Sequence, residues 1–78
     1  MKTINIEGHL IDIDKNIVDA FERIVPNSFE KAAASWLGLI LSCETMDDVF
    51  ENYSEDKIRE TITVTAKEEL LYGYGVSV

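Results

Sequence analysis

Basic residues are scarce in this chain. Lys and Arg together number 7 against 15 Asp and Glu, leaving a net charge of −8. Direct binding of nucleic acid or of an anionic membrane surface needs clustered Lys and Arg, and here the bases are scattered, so both are disfavoured as partners. There is one cysteine, Cys43, which excludes an internal disulfide. A secreted domain of this size often depends on such cross-links. The N-terminus has no apolar signal core, so a reducing, cytoplasmic location is the expectation. No long hydrophobic run is present either. The longest uncharged stretch, Ala32 to Cys43, is too short to cross a bilayer as a helix. Proline occurs once, at Pro26, and the four glycines fall at punctuation points rather than in a low-complexity tract.

What is present is ordinary globular material. Of the 78 residues 46% are hydrophobic, which is enough to offset chain entropy and to argue against disorder. A chain of this length is expected to form a single domain spanning residues 1–78, with one small core.

Thr3 to Ile11 reads as a strand, with Ile4, Ile6, Gly8 and Leu10 alternating against Thr3, Asn5, Glu7 and His9. Asp14 is placed to cap a helix over Lys15 to Val25, whose Ile17, Phe21, Ile24 and Val25 share a face, and Pro26 ends it. Asn27 or Ser28 caps a second helix running to about Cys43. Between Lys31 and Glu44 that helix carries no charge on any side, which predicts a central position covered by several neighbours. Gly38 inside it suggests a close crossing with another element. Thr45, with Asp48 three residues on, resembles a capping box that opens a short helix from Met46 to about Tyr53, with Met46, Val49, Phe50 and Tyr53 on its apolar side. From Ile58 the period changes to two: Ile58, Glu60, Ile62, Val64 and Ala66 oppose Arg59, Thr61, Thr63 and Thr65, and the β-branched run from Thr61 to Thr65 favours a strand. Leu70, Tyr72, Tyr74, Val76 and Val78 alternate as a further strand. Lys67 to Glu69 form the connection, either as a hairpin turn or as a short helix capped by Thr65. The expected fold is α+β: a small three-stranded, mostly antiparallel sheet with two to three helices packed on one face, in the order β-α-α-α-β-β.

Few residues invite chemistry. Asp12-Ile13-Asp14 resembles paired aspartates of phosphotransfer and glycosyl-transfer enzymes, but those need a larger scaffold, and helix capping by Asp14 accounts for the pattern. A calcium loop beginning at Asp12 would need glycine and glutamate where Ile17 and Arg23 stand. His9 is the only histidine and has no cluster with which to hold a metal. Cys43 follows an apolar run beside Glu44 at a helix C-terminus, all of which disfavour a thiolate. Tyr72-Gly73-Tyr74-Gly75-Val76 matches a potassium-channel filter only superficially, since no membrane span accompanies it. Small size and acidity resemble those of acyl carrier proteins. That family opens its second helix with a serine directly after an aspartate, and none of Ser28, Ser35, Ser42, Ser54 and Ser77 follows one. No catalytic residue, cofactor or metal is therefore expected.

The acid is unevenly spread. Residues 44 to 60 hold Glu44, Asp47, Asp48, Glu51, Glu55, Asp56 and Glu60 against Lys57 and Arg59, so this segment supplies five of the eight net negative charges. On one continuous helix Glu44, Asp48, Glu51 and Glu55 would line up about 5–6 Å apart, a spacing that costs a few tenths of a kcal/mol per like-charged pair. Carboxylates so arranged could imitate nucleic-acid phosphates. The expected function is accordingly a small acidic non-enzymatic protein that binds and inhibits a basic, nucleic-acid-binding protein, as a nucleic-acid mimic of the kind phages and mobile elements encode. Its binding residues would be Glu44, Asp47, Asp48, Glu51, Glu55 and Asp56. The alternative is a structural subunit or self-associating module, a homo-oligomer joined through a C-terminal sheet edge at Leu70 to Val78 or through apolar helix surface.

Overall fold

The computed structural model describes residues 1–78. Two strands open the chain, β1 (Lys2–Ile6) and β2 (His9–Ile13). Four helices follow: α1 (Lys15–Ile24), α2 (Phe29–Ile40), α3 (Met46–Asn52) and α4 (Glu55–Glu68). A π-helical turn over Glu69–Gly73 continues α4, and a short tail ends the chain.

The expected long first strand is instead a complete hairpin. Glu7 and Gly8 adopt φ of 50° and 95°. Positive φ at both central residues defines the two-residue turn whose twist matches that of paired strands. Asn5 helps close it by accepting a hydrogen bond from the Gly8 N–H at 2.7 Å. β1 and β2 then pair antiparallel, with Ile4 opposite Ile11 and Ile6 opposite His9. The turn also changes which residues face inward. Ile4, Ile6, Ile11 and Ile13 are buried, whereas Leu10, expected beside Ile4 and Ile6, is 65% exposed.

Residues 58–66 are helical, which overturns the three-stranded β-α-α-α-β-β expectation: the molecule is α+β with a two-stranded antiparallel sheet and four helices. The physical reason lies in the spacing. The residues of α4 and its continuation that are buried are Ile58, Thr61, Ile62, Ala66 and Leu70. Ile58, Ile62, Ala66 and Leu70 recur every fourth position, one stripe of a helix. They are also every second member of the alternating set that suggests a strand. The members that distinguish the two patterns, Glu60 and Val64, are exposed. The β-branched run is accommodated by burial of that stripe and, at Thr61, by its hydroxyl donating to the Lys57 carbonyl at 2.8 Å. Ser54 starts the helix by accepting from the Lys57 N–H at 3.1 Å, with Glu55 and Asp56 favourably placed in the first turn. No strand exists at Leu70 to Val78, so the C-terminal sheet edge expected there is absent.

The other helices begin where the sequence predicts. Asp14 caps α1 by accepting from the Asn16 N–H at 2.9 Å, and Thr45 caps α3 by accepting from the Asp48 N–H at 3.1 Å. Ser28 occupies the cap position of α2 but makes no side-chain cap bond. Its place is taken by Glu22 of α1, whose carboxylate accepts from the N–H groups of Ser28 and Phe29 at 2.9 and 3.3 Å. α2 ends at Ile40, short of Cys43. Ser42 enters the left-handed region at φ 54° and the Cys43 N–H donates back to the Gly38 carbonyl at 3.2 Å, a Schellman closure.

β1 packs on α2, β2 on α3 and α4, and α2 and α4 pack on each other. Between them lies one cluster of 18 buried hydrophobic residues. Phe21, Phe29, Trp36 and Tyr74 extend it through edge-to-face contacts, with centroids 5.6 to 6.3 Å apart. α2 is not the fully covered central helix that its uncharged sequence predicts. Phe29, Ala33 and Leu37 are buried, but Leu39 is 78% and Ile40 53% exposed. Nor does Gly38 mark a tight crossing: a Cβ there would sit 3.5 Å from the Cys43 carbonyl oxygen and 4.0 Å from Met46 Cε, ordinary contact distances.

Candidate functional site

The six carboxylates singled out from the sequence lie on two helices and the loop before them. Tyr53 and Ser54 are both extended, with ψ of 146° and 155°, so the chain breaks between α3 and α4. Glu44, Asp48, Glu51 and Glu55 therefore do not form one continuous helical stripe. Asp47 and Asp48 stand in the first turn of α3, and Glu55 and Asp56 in the first turn of α4, where the helix dipole favours negative charge.

Three of the six are engaged inside the molecule. The His9 imidazole stacks on Phe50, centroids 4.4 Å apart and planes within 7°, and its Nε2 donates to Asp47 at 2.6 Å. This places the hairpin turn against α3. Arg59 meets Asp56 at 2.9 Å and Glu55 at 3.3 Å, while its Nε donates to the Asp12 carbonyl at 2.8 Å. Arg59 thus ties the end of β2 to α4 and uses two of the candidate carboxylates to hold its own charge in place. Such exposed pairs contribute only about 0–1 kcal/mol each. Glu44, Asp48 and Glu51 have no side-chain partner and face solvent.

The remaining acids divide in the same way. Asp12 accepts from the Thr3 hydroxyl, Asp14 caps α1, Glu22 caps α2, and Glu30 accepts from the Asn5 N–H and so joins α2 to β1. Asp19 receives the Lys15 ammonium at 2.7 Å and has Lys2 at 3.7 Å. The Lys15 hydrogen bond, with the nearby charges of Lys15, Lys2 and Arg23, holds its carboxyl below the usual aspartate range. With Asp47, Glu55 and Asp56, eight of the 15 carboxylates have internal bonds. Seven do not: Glu7, Glu44, Asp48, Glu51, Glu60, Glu68 and Glu69. All but Glu7 fall between residues 44 and 69.

The other sequence candidates have structural roles or none. Asp12 and Asp14 serve the hairpin and a helix cap. No group of three His, Cys, Asp or Glu side chains could hold a metal ion. Cys43 is half-buried against the core, and its thiol donates only to the Leu41 carbonyl, at 3.4 Å. The Tyr72–Val76 segment finishes the last helical turn, and Gly75, at φ 68°, turns the tail back so that Val76 packs on the core. No helix is long and apolar enough to cross a membrane.

The structure leaves uncovered a set of apolar side chains on and beside α4 and its continuation. Ile40, Val64 and Tyr72 are 53%, 48% and 82% exposed. The signal was available in Ser54-Glu55-Asp56, a helix start. From it Glu60, Val64 and Glu68 fall on one outward face. Comparison with protein-family models, with curated proteins and with solved structures finds no match, so this chain's function must be read from its own residues.

Proposed function

We propose that this is a non-enzymatic binding protein whose partner is a basic protein. The observation that carries the reading is the distribution of unengaged acid: six carboxylates without an internal bond lie within residues 44–69, on a molecule of net charge −8. A field of that sign steers encounter with a cationic surface and repels nucleic acid and anionic lipid. Glu44, Asp48 and Glu51, free and outward, contribute to this steering, whereas Asp47, Glu55 and Asp56 serve mainly to join elements. In its most specific form the reading is competitive inhibition, with the carboxylates occupying sites on a nucleic-acid-binding protein that otherwise hold phosphates.

The test is capture of partners by the immobilised protein across a salt series, followed by displacement with duplex DNA. Retained proteins should be basic, should be released progressively as salt rises, and should be displaced by DNA. Partners that are held equally at low and high salt and are insensitive to DNA would overturn the reading and favour self-association or a hydrophobic interface.

A further inference from the structure

The hairpin is the whole sheet, so each of its strands is an edge. Ile6 pairs with His9 across the two-residue turn. In that register the backbone groups of Lys2, Ile4 and Ile6 face β2, and those of Thr3 and Asn5 point away from it. On β2 the same register turns the backbone groups of Leu10 and Asp12 outward. An outward row of N–H and C=O groups is a template for another strand. Each row is interrupted by one charged side chain from a helix. On β1 the Asn5 N–H donates to the Glu30 carboxylate of α2. On β2 the Asp12 carbonyl accepts from Arg59 Nε of α4 at 2.8 Å. The donor is met by an acid and the acceptor by a base, each where the complementary group of an added strand would sit. Beside β1 the surface falls into a depression lined by Asn5, Glu7, Glu30, Lys31 and Ala34, which leaves room along that edge.

We infer that Glu30 is a latch: by holding the Asn5 N–H it keeps β1 from pairing with the β1 strand of a second copy of this chain. Arg59 guards the opposite edge in the same way. The second copy is the occupant that β1 itself specifies. Paired antiparallel about a two-fold axis, Thr3 would face the partner's Asn5 and exchange both backbone hydrogen bonds with it, twice over by symmetry. The Lys2 end of each strand would then lie beside the Glu7 end of the other, so that opposite charges meet. The product would be a four-stranded sheet continuous across two molecules. Glu30 must leave Asn5 before this pairing can begin, because one N–H cannot serve both acceptors. The inference does not depend on the proposed function.

Two variants separate the latch from a simple loss of charge. Glu30→Ala and Glu30→Gln each remove one negative charge, but glutamine keeps a side-chain oxygen that can accept from the Asn5 N–H. Glu30 is exposed, and circular dichroism reports whether each variant stays folded. In sedimentation over a concentration series, Glu30→Ala should move from monomer towards twice the monomer mass, while the unmodified protein and Glu30→Gln should stay monomeric. Amide hydrogen exchange locates the contact. In the unmodified protein Asn5 should exchange about tenfold or more slowly than Thr3, since only Asn5 has an acceptor. In Glu30→Ala both amides should exchange freely when dilute, and both should become protected as the dimer forms. Equal exchange at Thr3 and Asn5 in the unmodified protein would overturn the latch without recourse to any variant. So would a Glu30→Ala protein that stays monomeric, equal association of the alanine and glutamine variants, or a dimer in which Thr3 and Asn5 remain unprotected.

Discussion

Replacing Ile62 by Ala and, separately, Val64 by Ala tests whether residues 58–66 present the two faces of a helix. In a strand the two side chains would share a face and both substitutions would open the core. In α4 they point apart: Ile62 is 0% exposed and Val64 48%. Removing the buried isoleucine atoms should cost about 3 kcal/mol, within the usual range for such a deletion plus its cavity. A chain of 78 residues is expected to have only about 4–12 kcal/mol of stability, so that loss is a large share of the whole. It corresponds to a fall in melting temperature of roughly 15 °C. At Val64 the half-exposed side chain gives up about 1 kcal/mol of burial, and about half of that is recovered because Ala is the better helix former. The net change there should be within about 0.5 kcal/mol. Urea unfolding followed by far-ultraviolet circular dichroism measures both. Comparable losses at the two positions would show that residues 58–66 do not present these faces, and the fold assignment would go with them.

The two glycines should respond in opposite directions. Gly38→Ala meets only ordinary contacts inside a helix and should stabilise by about 0.5–1 kcal/mol, whereas Gly8→Ala forces a side chain onto φ 95° and should destabilise by about 1 kcal/mol or more, both read by thermal unfolding. Glu22→Ala leaves the Ser28 and Phe29 N–H groups without their acceptor and should cost about 1–2 kcal/mol, read by urea unfolding. Because the folded Asp19 carboxyl titrates below its unfolded value, its contribution is present at neutral pH and fades as acid protonates the folded form. Asp19→Asn should therefore lower stability at pH 7 and make stability less dependent on pH in the acid range, measured by urea unfolding at several pH values.

Local signals in this sequence were reliable where one residue does a local job. Asp14 and Thr45 begin α1 and α3 because each short side chain satisfies a backbone N–H that the helix cannot satisfy itself. They failed where two patterns coincide. A repeat of four is contained in a repeat of two, so Ile58, Ile62, Ala66 and Leu70 fit either element, and only the exposure of Glu60 and Val64 decides between them. The hairpin was missed because Glu7-Gly8 is not one of the Asn-Gly or Asp-Gly pairs that usually mark such a turn. An even alternation read through a turn then assigns Leu10 to the wrong side. The acidic run was legible as composition but not as geometry. Nothing in the sequence says that Arg59 would reach back to the Asp12 carbonyl and so draw Glu55 and Asp56 into holding the molecule together.

Because both strands lie within Lys2–Ile13, the only sheet in the protein can form before most of the chain has been made. Every later element is a helix whose backbone bonds close among near neighbours, but the core is completed only when distant segments meet: β1 against α2, and β2 against α3 and α4. Domains that mix helices with a hairpin fold at rates between those of helical bundles and all-β barrels. The hairpin is thus the first element that can be made and the last to be covered, since β2 gains its neighbours only when α3 and α4 close over it.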